Sequence, residues 1–347
     1  MKKFVSILLV LVLMMSFSAA AFADGSETPS TANTSVEKVT INKTYVVENP
    51  GTTAPAETFN FTITADGVTD APTGVTAPML NNKGTGSIAF GAISGTSTGS
   101  FDIDLSPITA IGVYTYTITE NSGTTAGVDY DSTVIKMVIT AVINKEGNLE
   151  KYVAFYKNDD TDKSGTGGSL DAFTNTYKAA GGSDKDSGVN VKKVVTGNQG
   201  DKAKKFAITI TFTAPKDKTV KGDITYTVGE DRYTISAGDG WTGSKDATVE
   251  IAHNTTVHFI NVPYGVSYNV TEADYTRANG GYDAPDYTYT NTTKVVAANT
   301  ELVTVTNNKN VPIPGGVSMD SLPYILMLVV VGAAVVVIAT RKKGEQF

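Results

Sequence analysis

Through most of the chain, apolar residues recur at every second position. Tyr114, Tyr116 and Ile118 alternate with threonines, as do Phe59, Phe61 and Ile63 with Asn and Thr, and Phe206, Ile208, Ile210 and Phe212 with Ala and Thr. Period-2 alternation marks strands with one buried face. Val39, Ile41 and Tyr45 show the same phase, as do Val189, Val191 and Val195, and then Val303 and Val305. Val138 to Ile143 is a further run, closed by the turn-like Asn144-Lys145-Glu146-Gly147. No amphipathic helix stands out between Asp24 and Gly315. Thr, Val, Tyr and Phe are abundant and Gly, Asn and Asp punctuate the runs, which predicts an all-β sandwich.

The pattern occurs twice. Ala179 to Gly188 is rich in Gly, Ser and Asp and reads as a linker, after which the same succession of strands restarts. This gives two tandem domains of about 140 and about 120 residues, a normal size for a sandwich.

Certain polar residues share the apolar phase. Lys43 is in register with Val39, Ile41 and Tyr45, and Lys193 with Val189, Val191 and Val195. Glu120 continues the Tyr114–Ile118 face, and Glu272 continues Tyr268 and Val270. Asn175 falls between Phe173 and Tyr177, and Asn307 follows Val303 and Val305. Lys192 and Asn308 are the adjacent alternatives on the opposite face. A buried charge is costly unless neutralised or paired, so the order Lys–Glu–Asn, repeated in both domains, points to chemistry. Desolvation drives a buried Lys and Glu toward their neutral forms. A neutral amine is a nucleophile, and a protonated carboxyl can hydrogen-bond the Asn side-chain carbonyl and shuttle protons to departing ammonia. The product is a Lys–Asn isopeptide bond, formed once by the folded domain itself, so the chain is not an enzyme in the ordinary sense.

Composition sets the compartment. Met1–Ala23 has the charged start, apolar run and small-residue cleavage site of a secretory signal peptide. Leu322–Ala339 is uncharged, long enough to span a bilayer, and followed by Arg341-Lys342-Lys343. With the two N-terminal lysines, those three basic residues, Asp320 and Glu345 set aside, 23 basic and 33 acidic residues remain in the exported part. That balance argues against nucleic acid and anionic membrane surfaces as ligands. The chain has no Cys, so disulfides do not brace it. Asn158, Asp160 and Asp162 have calcium-loop spacing, but the Gly at the sixth place and the Glu at the twelfth are missing. His253 and His258 fall on opposite faces of a strand. The residues therefore suggest no metal site and no cofactor, and no hydrolase triad is available.

Gly112-Val113-Tyr114 through Glu120, Phe173-x-Asn175-x-Tyr177, Lys192-Lys193-Val194-Val195-Thr196-Gly197-Asn198, and the Val-Thr-Glu and Val-Thr-Asn of the second domain resemble two-domain streptococcal-type major pilins. These are the sortase-assembled shaft pilins of Gram-positive bacteria. The resemblance implies two immunoglobulin-like (CnaB-type) sandwiches with Lys43–Asn175 and Lys193–Asn307 bonds, assisted by Glu120 and Glu272. It implies copies of the chain itself as covalent partners, a class C-type sortase, other pilins and the cell wall, with the membrane touched only through the C-terminal helix before sorting. It places the protein at the cell surface, in an adhesive role.

The resemblance also implies a surface lysine for polymerisation, best matched by Lys163, with Lys157 and Lys178 as rivals. The sorting region reads Val311-Pro312-Ile313-Pro314-Gly315-Gly316-Val317 and lacks the family's Thr. Cleavage falls before Gly315 in one register and before Gly316 in the other; the second avoids an acyl intermediate on Pro314. The expected layout is a signal peptide (1–23), a disordered lead (24–37), a first sandwich (38–180), a linker (181–188), a second sandwich (189–309), the sorting region (310–318), and a transmembrane helix with basic tail (319–347). Two other readings share these domains or this anchor. One is a monomeric wall-anchored adhesin or a basal or tip pilin, and the other is an anchored enzyme, for which no acid–base site is visible outside the proposed cross-links.

Overall fold

The computed structural model describes residues 35–158, 160–182, 186–312 and 326–331. The expected signal peptide, most of the expected lead, and Ile313, Pro314, Gly315 and Gly316 lie outside the described residues. Of the expected transmembrane helix only 326–331 is described, and it is helical; among the described residues no helix is long and apolar enough to cross a membrane.

Two β-sandwiches succeed one another along the chain. In the first, a four-stranded sheet runs in the order Thr96–Asp104, Lys38–Val47, Ser169–Tyr177, Val128–Asp129. Facing it is a six-stranded sheet in the order Thr85–Phe90, Glu57–Thr69, Gly112–Asn121, Val134–Ile143, Leu149–Lys157, Gly165–Thr166. The inward residues of both sheets, among them Ile41, Tyr45, Phe61, Tyr116, Ile118, Met137 and Phe155, form one core.

In the second domain a six-stranded sheet runs Asp231–Ile235, Ile224–Val228, Thr256–Ile260, Gly188–Thr196, Thr300–Asn308, Asp286–Tyr289. It packs on a three-stranded sheet ordered Ser244–Ile251, Phe206–Thr213, Ser267–Glu272. In both domains the first strand lies beside the last and parallel to it: Lys38–Val47 with Ser169–Tyr177, and Gly188–Thr196 with Thr300–Asn308. The chain therefore enters and leaves each sandwich on neighbouring strands.

The first-domain ladder is broken once. Asn42 pairs Asp171 but Lys43 pairs Phe173, so Ala172 bulges out of register. A bulge inserts one residue and flips the phase of the rest of the strand; Leu170 and Ala172 are buried before it, and Phe173, Asn175 and Tyr177 after it. The second-domain ladder runs without interruption from Gly188 to Thr196.

Three local features differ from expectation. Asn81–Gly84 is a single helical turn, tied to a neighbouring strand because the Asn81 side chain donates to Asp102 O and accepts from Asp104 N. The last residues of the expected lead, 35–37, are held against Lys151: Val36 N donates to Lys151 O, Lys151 N to Ser35 Oγ, and Lys151 Nζ to Glu37. The expected linker is shortened because Gly188, whose φ of +105° leaves no room for a Cβ against Phe259 O, already begins a strand.

The domains touch directly. Ala179–Ala180 pairs with Val262–Pro263, so the chain leaving the first sandwich forms a separate two-stranded sheet with a segment of the second. Thr125 bridges Thr219, and Glu57 receives Lys221 at 2.8 Å.

Candidate functional site

The parallel pairing of first and last strands sets Lys and Asn side by side. Tyr45 pairs Asn175 and Val195 pairs Asn307, so in each domain the Lys lies two residues before the Asn's partner and on the same face. The Glu comes from the opposite sheet and reaches across the sandwich.

In the first domain Lys43 Nζ is 2.6 Å from Glu120 Oε2, and both side chains are fully buried. Asn175, also fully buried, donates from Nδ2 to Glu120 Oε1. Its Oδ1 accepts the backbone N–H of Asp131 at 2.9 Å. In the second domain Lys193 Nζ is 2.7 Å from Glu272 Oε2, with both side chains again fully buried. Asn307 Nδ2 donates to Glu272 Oε1 at 2.5 Å, and here the Lys193 amine itself donates to Asn307 Oδ1. Lys192 and Asn308 are only half-buried.

An aromatic face lies beneath each amine, with Lys43 Nζ 4.3 Å from the Phe59 ring centre and Lys193 Nζ 4.3 Å from that of Phe206. Burial pushes the Lys43 amine below the usual lysine range, against the opposing pull of Glu120. Burial also pushes the Glu120 carboxyl up, against Lys43 and Asn175. Lys193 is lowered by burial in the same way, opposed by Glu272. Desolvation thus drives the amines, and the first-domain carboxyl, toward neutrality.

One detail differs from the expectation drawn from sequence. The carboxyl meets the amide nitrogen of Asn, not its carbonyl oxygen. It therefore bridges the amine that would attack and the nitrogen that would leave.

Two participants escaped the period-2 reading. Asp131 lies in an irregular turn with no phase to follow. The rings of Phe59 and Phe206 beneath the amines read as ordinary core. A signal existed: Tyr130-Asp131 recurs as Tyr282-Asp283, between the Glu and Asn strands of each domain.

Lys163 is exposed in the loop between Leu149–Lys157 and Gly165–Thr166, and among the described residues it has no hydrogen-bond or ion-pair partner. Its rivals are engaged. Lys157 Nζ donates to Asp171 O at 2.8 Å, and Lys178 pairs with Asp129 at 2.9 Å and Glu48 at 3.4 Å. At the other end, Asn198 clamps the outgoing chain: Val311 N donates to its Oδ1 and its Nδ2 donates to Val311 O. Pro312, next in line, is exposed.

Residues 35–178 match the family described as a Spy0128-like isopeptide containing domain, and residues 187–309 match a domain of unknown function. A pilin of Streptococcus pyogenes serotype M1 is 26% identical over 322 residues, covering 86% of this chain and 88% of the relative. The solved major pilin of Streptococcus pyogenes is 24% identical, with a TM-score of 0.52 over 80% of this chain and 100% of the other. A second major pilin of that species, T3.2, is 19% identical, with a TM-score of 0.51 over 79% of this chain and 98% of the other. The two structures speak for the fold, and by the sequence relative and the first domain's family the chain is similar to pilins of the streptococcal type.

Proposed function

We propose that this protein is the shaft subunit of a covalently polymerised Gram-positive pilus and that each of its sandwiches cross-links itself. Lys43 joins Asn175 with the help of Glu120, and Lys193 joins Asn307 with the help of Glu272. The observation that carries the reading is the double convergence of a buried amine, carboxyl and carboxamide within hydrogen-bond reach.

The chemistry arises from that contact order. The neutral lysine nitrogen attacks Cγ of the Asn, and the C=O electron pair moves onto Oδ1. The Glu accepts the proton that Nζ sheds and passes it to Nδ2, which it already contacts. The Cγ–Nδ2 bond breaks, ammonia leaves, and one amide replaces another without redox change. The protein turns over once and is otherwise not an enzyme.

Assembly joins such subunits end to end. A class C-type sortase cleaves in the Pro314–Gly316 region and transfers the new carbonyl to Lys163 of the next copy, anchoring the polymer to the cell wall beside other pilins. Lys163 is supported by its exposure and by the engagement of Lys157 and Lys178.

Intact-mass analysis of the exported chain tests the cross-links, and two ammonia equivalents are expected to be missing. The full unmodified mass in folded protein would overturn the reading. A surface blot tests assembly: Lys163→Ala should collapse a high-mass ladder to exported monomer, while Lys157→Ala and Lys178→Ala keep it. A single band in the wild type would instead favour a wall-anchored adhesin.

A further inference from the structure

We infer that Asp131 is a positioning residue for bond formation in the first domain. Its backbone N–H is the donor that stabilises negative charge on Asn175 Oδ1 as the Lys43 amine attacks. This rests on the self-cross-linking proposed above.

The geometry is built, not incidental. Attack at Cγ places charge on Oδ1, and the group already facing that oxygen is Asp131 N–H at 2.9 Å. Donors aimed at a developing oxyanion in a dry site act strongly because they need no reorganisation. The Asp131 carboxylate holds that N–H in place by accepting from both sides, Thr133 N at 2.8 Å through Oδ1 and Thr174 N at 2.6 Å through Oδ2. Thr174 adjoins Asn175, so the same carboxylate fixes the donor turn and the acceptor strand relative to each other.

The second domain lacks this device. Its matching Tyr282-Asp283 is displaced by one residue: Asp283 N donates to Asn308 O, and Asn308 Nδ2 donates to Asp283 Oδ2. Among the described residues, Asn307 Oδ1 receives only the Lys193 amine. The second domain is therefore an internal control within the same chain.

Charge and position make opposite forecasts. The negative Asp131 favours the charged form of Lys43, so an electrostatic role alone would make both Asp131→Ala and Asp131→Asn link faster. A positioning role makes Asp131→Ala slow, while Asp131→Asn, which keeps one of the two accepting oxygens, is slowed less.

The test expresses the full-length chain in a Gram-positive host and, after a pulse of synthesis, follows the linked Lys43–Asn175 and Lys193–Asn307 peptides by mass spectrometry of digests. Loss of an oxyanion donor costs roughly 100- to 1000-fold in rate. A loosened donor should cost less, on the order of tenfold for Asp131→Ala in the first domain, with the second-domain rate unchanged and Asp131→Asn slowed less than Asp131→Ala. Wild-type rates in Asp131→Ala, acceleration in both variants, or equal slowing of both domains would overturn the assignment. A wild-type chain with neither linked peptide would instead overturn the cross-linking itself, and this inference with it.

Discussion

The two proposed cross-link sites hold the same three groups in different ways. In the first domain the Asn carbonyl is turned to a backbone donor, and a bulge at Ala172 sets the phase of the strand that carries it. In the second domain the ladder is unbroken and the amine touches the carbonyl oxygen directly. What they share is the Glu contacting both nitrogens, the aromatic floor, and the parallel pairing of first and last strands. The shared part is what proton transfer and desolvation require. The variable part concerns where charge goes in the transition state, and that can be met by different neighbours.

The largest expected effect separates the domains altogether. Glu120→Ala should leave only the second-domain bond and Glu272→Ala only the first, so each variant should be missing one ammonia where the wild type is expected to be missing two. Either bond closes most of its domain into a loop, and the cross-link entropy model assigns such closure about 4–5 kcal/mol. For domains of this size, that corresponds to a fall of about 12–25 °C in the melting temperature of the affected domain alone. Calorimetry checks it; equal shifts of both transitions in either variant would count against independent bonds.

The next effect distinguishes losing the bond from losing the pair. Asn175→Ala abolishes the bond but leaves Lys43 and Glu120 together. Lys43→Ala abolishes it and also strands a buried carboxyl, at a further cost of about 1–3 kcal/mol. Protease digestion should open the first domain of both variants, and that of Lys43→Ala sooner.

Much of this site was legible before folding because a strand records its own geometry. Period 2 places Lys43 with Val39, Ile41 and Tyr45, and all four are buried. The same logic puts Glu120 and Asn175 inward, the latter because Phe173 and Tyr177, downstream of the bulge, set its phase. Groups without a period were illegible. Asp131 sits in a turn, and its role depends on a main-chain N–H, which every residue except proline carries. The Glu57–Lys221 contact depends on how two domains dock, which neither domain's alternation encodes.

A pH prediction probes the first site in isolation. Glu120→Gln keeps the shape but cannot shuttle protons, so Lys43 remains an unlinked, buried amine. Its folded pKa lies below its unfolded value of 10.5 because burial opposes the charge. Removing Glu120 takes away two influences that raise it. The folded state then binds fewer protons than the unfolded one, so stability is lost as pH falls below 10.5 toward the folded value and regained as pH rises. Relative to wild type, where the proposed amide would not titrate, the first-domain melting temperature of Glu120→Gln should climb through the alkaline range. A constant difference between the two would mean that Lys43 is not a free amine there.

The smallest effect concerns the contact between domains, and it too falls unequally. Glu57 is buried on the first domain, while the side chain of its partner Lys221 on the second is 35% exposed. Thr125 Oγ1 also donates to the carboxylate at 2.6 Å and Tyr130 OH at 3.2 Å. Lys221→Met leaves a buried carboxylate with two hydroxyl donors and no counter-charge, while the second domain loses only a partly solvated ammonium. Water screens such a pair, so the cost is about 1 kcal/mol. It should appear as a drop of about 3–5 °C in the first-domain transition alone. Adding Glu57→Gln removes the stranded charge but keeps acceptor and donor capacity, so the double variant should recover most of that loss. If Lys221→Met instead lowers the second-domain transition, the interface draws its stability from Lys221 packing and not from neutralising Glu57.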